Sequence, residues 1–120
     1  MKKLSFLIIE NDLMFCGALL TIVGDLFPGC IVETTDTSSV LEESREEQLD
    51  VVLCGHEHEF LGAGILQKIK TQHPDTMTIL EGILGIGDDA KSRVDYLWPH
   101  PFRPDDLGEA IENFFREKEE

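Results

Sequence analysis

A chain of 120 residues that is 42% hydrophobic and 28% charged has the length and apolar content of one globular domain, residues 1–120, with no room for a second and none of the signature of disorder. Its formal net charge of -14 sets up a field that repels the phosphate backbone, which excludes direct binding of DNA or RNA. The apolar stretches at residues 4–9 and 13–27 are too short, or too interrupted by Gly17, Gly24 and Asp25, to span a bilayer core of about 30 Å.

Lys2 and Lys3 precede an apolar run, but the run stops at Glu10, too soon for a secretory leader, so cytoplasmic residence is expected. Cys16, Cys30 and Cys54 are odd in number and contain no CxxC pair, which argues against a disulfide framework or a zinc knuckle.

Residues 4–9 form a nearly continuous apolar run, as a strand covered on both faces requires. From 12 to 27, Leu13, Cys16, Leu20, Val23 and Phe27 recur at the helical period, and Pro28-Gly29 is a stop signal. Residues 30–35 are β-branched and short, and Ser39 with Glu42 offers a capping box for a helix reaching about Gln48. Residues 50–54 read as a third strand, followed by a helix with Ile65, Leu66 and Ile69 on one face that ends near Gln72, before Pro74. Residues 76–80 predict a fourth strand. The glycine-rich stretch at 82–87 defers a fourth helix to 88–93. Residues 94–98 predict a fifth strand. Pro104, followed by Asp105 and Asp106, opens a last helix with Leu107, Ala110, Ile111, Phe114 and Phe115 on its buried face.

This alternation predicts an α/β fold: a flavodoxin-like, doubly wound sheet of five parallel strands in the order 2-1-3-4-5, because right-handed crossovers place helices on both faces. Ligands of such sheets gather beyond the carboxyl ends of the strands, here at residues 10–12, 54–59, 80–83 and 98–101.

Several strings in this order carry a resemblance. Ile8-Ile9-Glu10-Asn11-Asp12, Asp50-Val51-Val52-Leu53, Leu61-Gly62, Pro74-Asp75-Thr76, Asp95-Tyr96-Leu97 and Pro101-Phe102 with Leu107 follow the pattern of response-regulator receiver domains over essentially the whole length. The chain resembles that family, and the resemblance implies two-component or phosphorelay signalling. It also implies a pocket of two magnesium-binding acids after strand one, an acceptor aspartate on strand three, a hydroxyl ending strand four and a lysine before proline after strand five.

Against that set, Glu10 falls at the first acid position and Asn11 at the second, with Asp12 next in line if the register slips by one. The acceptor position falls at Gly55 counted forward from Asp50, and at Cys54 counted backward from Gly62 and Ile69. The hydroxyl position falls at Gly82, with Glu81 beside it, and the lysine position at His100. The resemblance therefore points to a pseudo-receiver, a non-enzymatic domain that works through protein partners without taking up a phosphoryl group and without a required cofactor. Oligomeric state is left open, a homodimer included.

Other chemistry is written in the same region. His56-Glu57-His58-Glu59 places two imidazoles at a spacing that an extended chain turns to one side, so His56 and His58, with Glu10, Asp12 and His100, are candidate ligands for magnesium or a transition metal. The ligand spacing is incomplete, which favours a solvated loop. Cys54 beside these histidines is a candidate redox thiol, against the commoner reading of a buried inert cysteine. His100 is a candidate pH-responsive substitute for lysine, and its bond to Pro101 a candidate cis peptide. Trp98, Pro99 and Phe102 are candidate partner contacts, with Trp98 as the exposed aromatic anchor and Phe102 equally suited to the core.

Overall fold

The computed structural model describes residues 3–40, 49–55, 59–82, 92–99 and 102–119. Five parallel strands form one sheet in the order β2-β1-β3-β4-β5, as the alternation predicts. These are β1 (Ser5–Ile9), β2 (Ile31–Thr35), β3 (Val51–Cys54), β4 (Met77–Gly82) and β5 (Tyr96–Pro99). The described helices are α1 (Leu13–Leu26), α2 (Thr37–Val40), α3 (Glu59–Gln72) and α4 (Pro104–Glu119). The expected helix at 88–93 falls mostly outside the described residues, as does the reach of α2 towards Gln48.

The strand period of two sorts the apolar residues into two cores, one on each face of the sheet. Phe6, Ile8, Val51, Leu53, Met77 and Ile79 pack with Trp98 against Cys16, Leu19 and Val23 of α1 and against Leu107 and Ile111 of α4. Leu7, Ile9, Val52, Cys54 and Leu80 face Ala63, Ile65 and Leu66 of α3. The last four residues of β1 and all of β3 are buried. That explains their unbroken apolar sequence: a central parallel strand has no solvent side.

Helix α1 is turned relative to the expected face. Cys16, Leu19 and Val23 are buried, whereas Leu13 is 87% and Leu20 38% exposed. The helix is apolar nearly all round, so three-and-four spacing fits more than one stripe, and the one containing Phe15, Leu19, Ile22 and Leu26 packs inward. Its ends match expectation: the Asp12 carboxylate accepts the amides of Met14 and Phe15 at 2.9 and 3.1 Å. At the other end Phe27 closes on the Val23 carbonyl at 2.9 Å, and Gly29 adopts φ +84°.

Helix α2 begins earlier than the Ser39–Glu42 capping box suggests. Asp36 is its cap, accepting the Ser39 amide at 2.7 Å, and Asn11 accepts the Thr37 amide at 2.9 Å. Strand β4 runs to Gly82, beyond the expected end at Leu80, and takes Glu81 into the sheet. Helix α4 starts at Pro104, carries Asp105 and Asp106 in its first turn, and buries Leu107 and Ile111 as expected. No described helix is long and apolar enough to cross a membrane.

Candidate functional site

The strand register sets out the carboxyl-end cleft. Ile9 pairs with Cys54, and Cys54 with Leu80. One residue further along each strand therefore places Glu10, Gly55 and Glu81 in a row across β1, β3 and β4, and Glu81 pairs with Trp98 on β5. The Gly55 amide donates to the Ile9 carbonyl at 2.9 Å, and the Glu10 amide to Thr35 at 2.9 Å, so the row is tied into the ladder. Of the expected pocket residues, Glu10 and Gly55 come together in it. Gly82 does not: it lies one residue past the row, and Glu81 occupies the place the sequence count assigned to Gly82. The displacement follows from the longer β4, since Glu-Gly after an apolar run reads as a turn.

The middle of the row has no side chain of its own, and Glu10 fills it. A Cβ built on Gly55 would lie 1.6 Å from Glu10 Oε2 and 2.6 Å from its carboxyl carbon. Glu10 is buried; its Oε1 accepts the Asp12 amide at 3.1 Å, and its Oε2 has no hydrogen-bond partner among the described residues. Glu81 is fully buried. Burial, and then the neighbouring Glu10, push its carboxyl up to about 8, so at neutral pH it carries its proton.

Cys54 faces the opposite core and leaves Gly55 as the third-strand residue turned to this row. A Cβ at Gly62 would stand 2.9 Å from Cys54 Sγ, so glycine is what lets α3 close over the cysteine. Burial, then Glu10, then Glu81 push the thiol up to about 12. That corrects the candidate redox role: a reactive cysteine needs a lowered pKa and solvent access, and Cys54 has neither.

The three residues after β1 have separate tasks. Glu10 points into the row, Asn11 is hydrogen-bonded to Thr37 at the head of α2, and Asp12 caps α1. Among the described residues no group of three or more His, Cys, Asp or Glu is placed to hold a metal ion. His56, His58 and His100, with the His100-Pro101 peptide, lie outside the described residues.

Trp98 departs from expectation. Its side chain is 0% exposed, and its indole N–H donates to the Arg103 carbonyl at 3.0 Å. It cannot serve as the exposed anchor, because a large apolar ring with one polar edge is better placed at the end of a core where a carbonyl receives that edge. Phe102 is half-buried with its ring centroid 5.3 Å from Trp98, and Pro99 is exposed. The sequence singled out Glu81 only as a neighbour. Its signal was a lone acid continuing the run Thr78-Ile79-Leu80, a place where an ionised side chain would not be kept.

No family model matches this chain, and no curated protein does. Solved structures do. A response regulator receiver domain protein from Clostridium thermocellum superimposes with a TM-score of 0.77 at 21% identity, covering 97% of each chain. The fold is that of receiver domains. A CheY-like response regulator receiver domain protein from Methanospirillum hungatei JF-1 gives 0.77 at 20% identity over 98% of both chains. The signal receiver domain of an HD domain-containing protein from Pseudomonas fluorescens Pf-5 gives 0.73 at 17% identity, with 99% of this chain and 94% of that one covered. At these identities the likeness is one of receiver fold.

Proposed function

We propose that the chain is a receiver-fold signalling module of the pseudo-receiver kind, which takes no phosphoryl group and acts through contacts with protein partners. One observation carries this reading: the carboxyl of Glu10 lies in the space that a side chain at position 55 would need. A phosphoryl acceptor on the third strand must be an aspartate with room above it for phosphate and a cation. Here the row offers a glycine, which has no side chain to take a phosphoryl group, and the carboxyl of Glu10 fills the space above it, with a second buried acid, Glu81, on the next strand. The role requires no catalysis and no cofactor. The net charge of -14 favours protein partners over nucleic acid, and the setting proposed is the cytoplasm.

The test is to add magnesium with acetyl phosphate, and separately with beryllofluoride, to isotopically labelled protein. Amide resonances of Cys54 and Gly55 are expected to stay in place, and the intact mass is expected to stay unchanged. A saturable shift at those two residues, or a stable phosphoryl adduct, would overturn the reading.

A further inference from the structure

A cavity of about 610 Å³ lies at the amino ends of the strands, where Leu4, Cys30 and Asp50 lead into β1, β2 and β3, and so at the opposite end of the sheet from the row of Glu10, Gly55 and Glu81. Its volume is within the range of small-molecule sites. It exists because α1 ends at Leu26 whereas α4 runs on to Glu119, which leaves the later turns of α4 without a helix beside them. The two helices touch just before that point: a Cβ on Gly108 would lie 3.1 Å from Leu26 Cδ2. Past the contact, Leu4, Leu26, Phe27, Ile111 and Phe115 form an apolar wall, with the half-buried Cys30 among them. Both rings are held from behind by other rings, Phe27 by Phe6 at 5.6 Å between centroids and Phe115 by Phe114 at 5.1 Å, so the wall is preformed.

The charged residues around this wall are Lys3, Asp50, Glu112 and Arg116. Asp50 is committed, its Oδ2 accepting the Ser5 amide at 2.8 Å. Lys3, Glu112 and Arg116 are exposed and form no ion pair among the described residues, Arg116 bonding to Asn113 at 3.3 Å. Glu112 and Arg116 stand one turn apart on α4, so an acid and a cation line the same mouth. We propose that the cavity binds a small zwitterion with an aromatic body, an aromatic α-amino acid being the simplest, with its ring against Phe27 and Phe115, its carboxylate on Arg116 and Lys3, and its ammonium on Glu112. The charges select this class. A chain of net charge -14 discourages a free anion, Lys3 and Arg116 discourage a free cation, and a zwitterion feels neither repulsion while answering both kinds of group at the rim. Such a ligand would be an input to the domain that owes nothing to phosphoryl chemistry.

Titration of the isotopically labelled full chain with L-phenylalanine, up to millimolar concentration, tests this. Saturable amide shifts are expected at Leu4, Phe27, Cys30 and Phe115. N-acetyl-L-phenylalanine, which lacks the ammonium, and phenethylamine, which lacks the carboxylate, are each expected to bind about tenfold more weakly or worse. Glycine keeps both charges without the ring and is expected not to bind. Positions 112 and 116 are exposed, so both can be changed without disturbing the core. Glu112→Gln is expected to erase the preference over N-acetyl-L-phenylalanine, and Arg116→Gln the preference over phenethylamine. Bound L-phenylalanine is also expected to slow alkylation of Cys30 by iodoacetamide, a reaction that Cys16 and Cys54 escape by burial. The absence of a saturable shift at those four residues, a single-charge analogue or glycine that binds as tightly as L-phenylalanine, preferences that both variants leave intact, or an unchanged alkylation rate would each overturn the inference.

Discussion

Glu10 and Gly55 divide one space between them: Glu10 Oε2 lies 1.6 Å from where a Cβ on Gly55 would stand. A side chain at position 55 must therefore expel the carboxyl, which is the movable end of a flexible residue. Gly55→Ala is expected to destabilise the domain by about 1 kcal/mol, and to do so far less when Glu10 is already alanine. Urea unfolding of the two single variants and the double variant measures the coupling, and additivity would contradict the shared space.

The raised pKa of Glu81 fixes the direction of a pH dependence. Below its ordinary value of 4.5 the group is protonated folded or unfolded, and above about 8 it is ionised in both states. Between these limits the folded state holds a proton that the unfolded chain releases, so stability falls as pH rises through that window. Glu81→Gln is expected to remove this slope and to be more stable than the parent at pH 8, by on the order of a few kcal/mol at most. Thermal melts from pH 5 to 9 compare the two.

Trp98 is the sole tryptophan in the sequence, which makes its burial directly readable. Its fluorescence is expected to be blue-shifted and inaccessible to iodide or acrylamide until the protein unfolds. Trp98→Phe retains most of the apolar contact but leaves the Arg103 carbonyl without the indole donor, and should cost about 1 to 2 kcal/mol in chemical denaturation.

Lys70 of α3 and Lys118 of α4 both approach the ring of Phe114, at 5.2 and 4.9 Å from its centre. Lys70 also donates to the Thr76 carbonyl and to Asp95, which in turn accepts from the Thr78 amide. Phe114→Leu is expected to lose about 0.5 to 1 kcal/mol per cation beyond the change in buried area. Lys70→Met is expected to cost more, because it also releases Asp95. Both are read as shifts in urea midpoint, and a larger loss for Phe114→Leu would show that the ring contacts outweigh the bonds to Thr76 and Asp95.

The parts of the fold that were legible in the sequence are those where one physical demand acts alone. β1 and β3 are apolar because both faces are covered, and the Pro104-Asp105-Asp106 start of α4 announces itself by capping and dipole chemistry. Two demands competed at α1, where Leu13 and Leu20 are as apolar as the residues that pack inward, so periodicity alone did not determine the face. For the site, the absence of an acid at both Cys54 and Gly55 was readable, but the choice between them was not: two counts gave two answers, and only the strand register turns Gly55 to the row. Nor was the occupation of that space by Glu10, because it depends on which way a long side chain turns. Trp98 was misplaced for a related reason: a large aromatic beside a turn suggests an exposed anchor, and only the register shows that it pairs with the buried Glu81.

The sheet separates two cores, yet neither has a backbone of its own. Phe6 and Ile8 belong to one and Leu7 and Ile9 to the other, and the same alternation holds along β3. Loosening the packing on either side displaces strands on which the other side depends. The two layers are consequently coupled in melting, and a differential scanning trace should show one heat-absorption peak, with calorimetric and van't Hoff enthalpies in agreement.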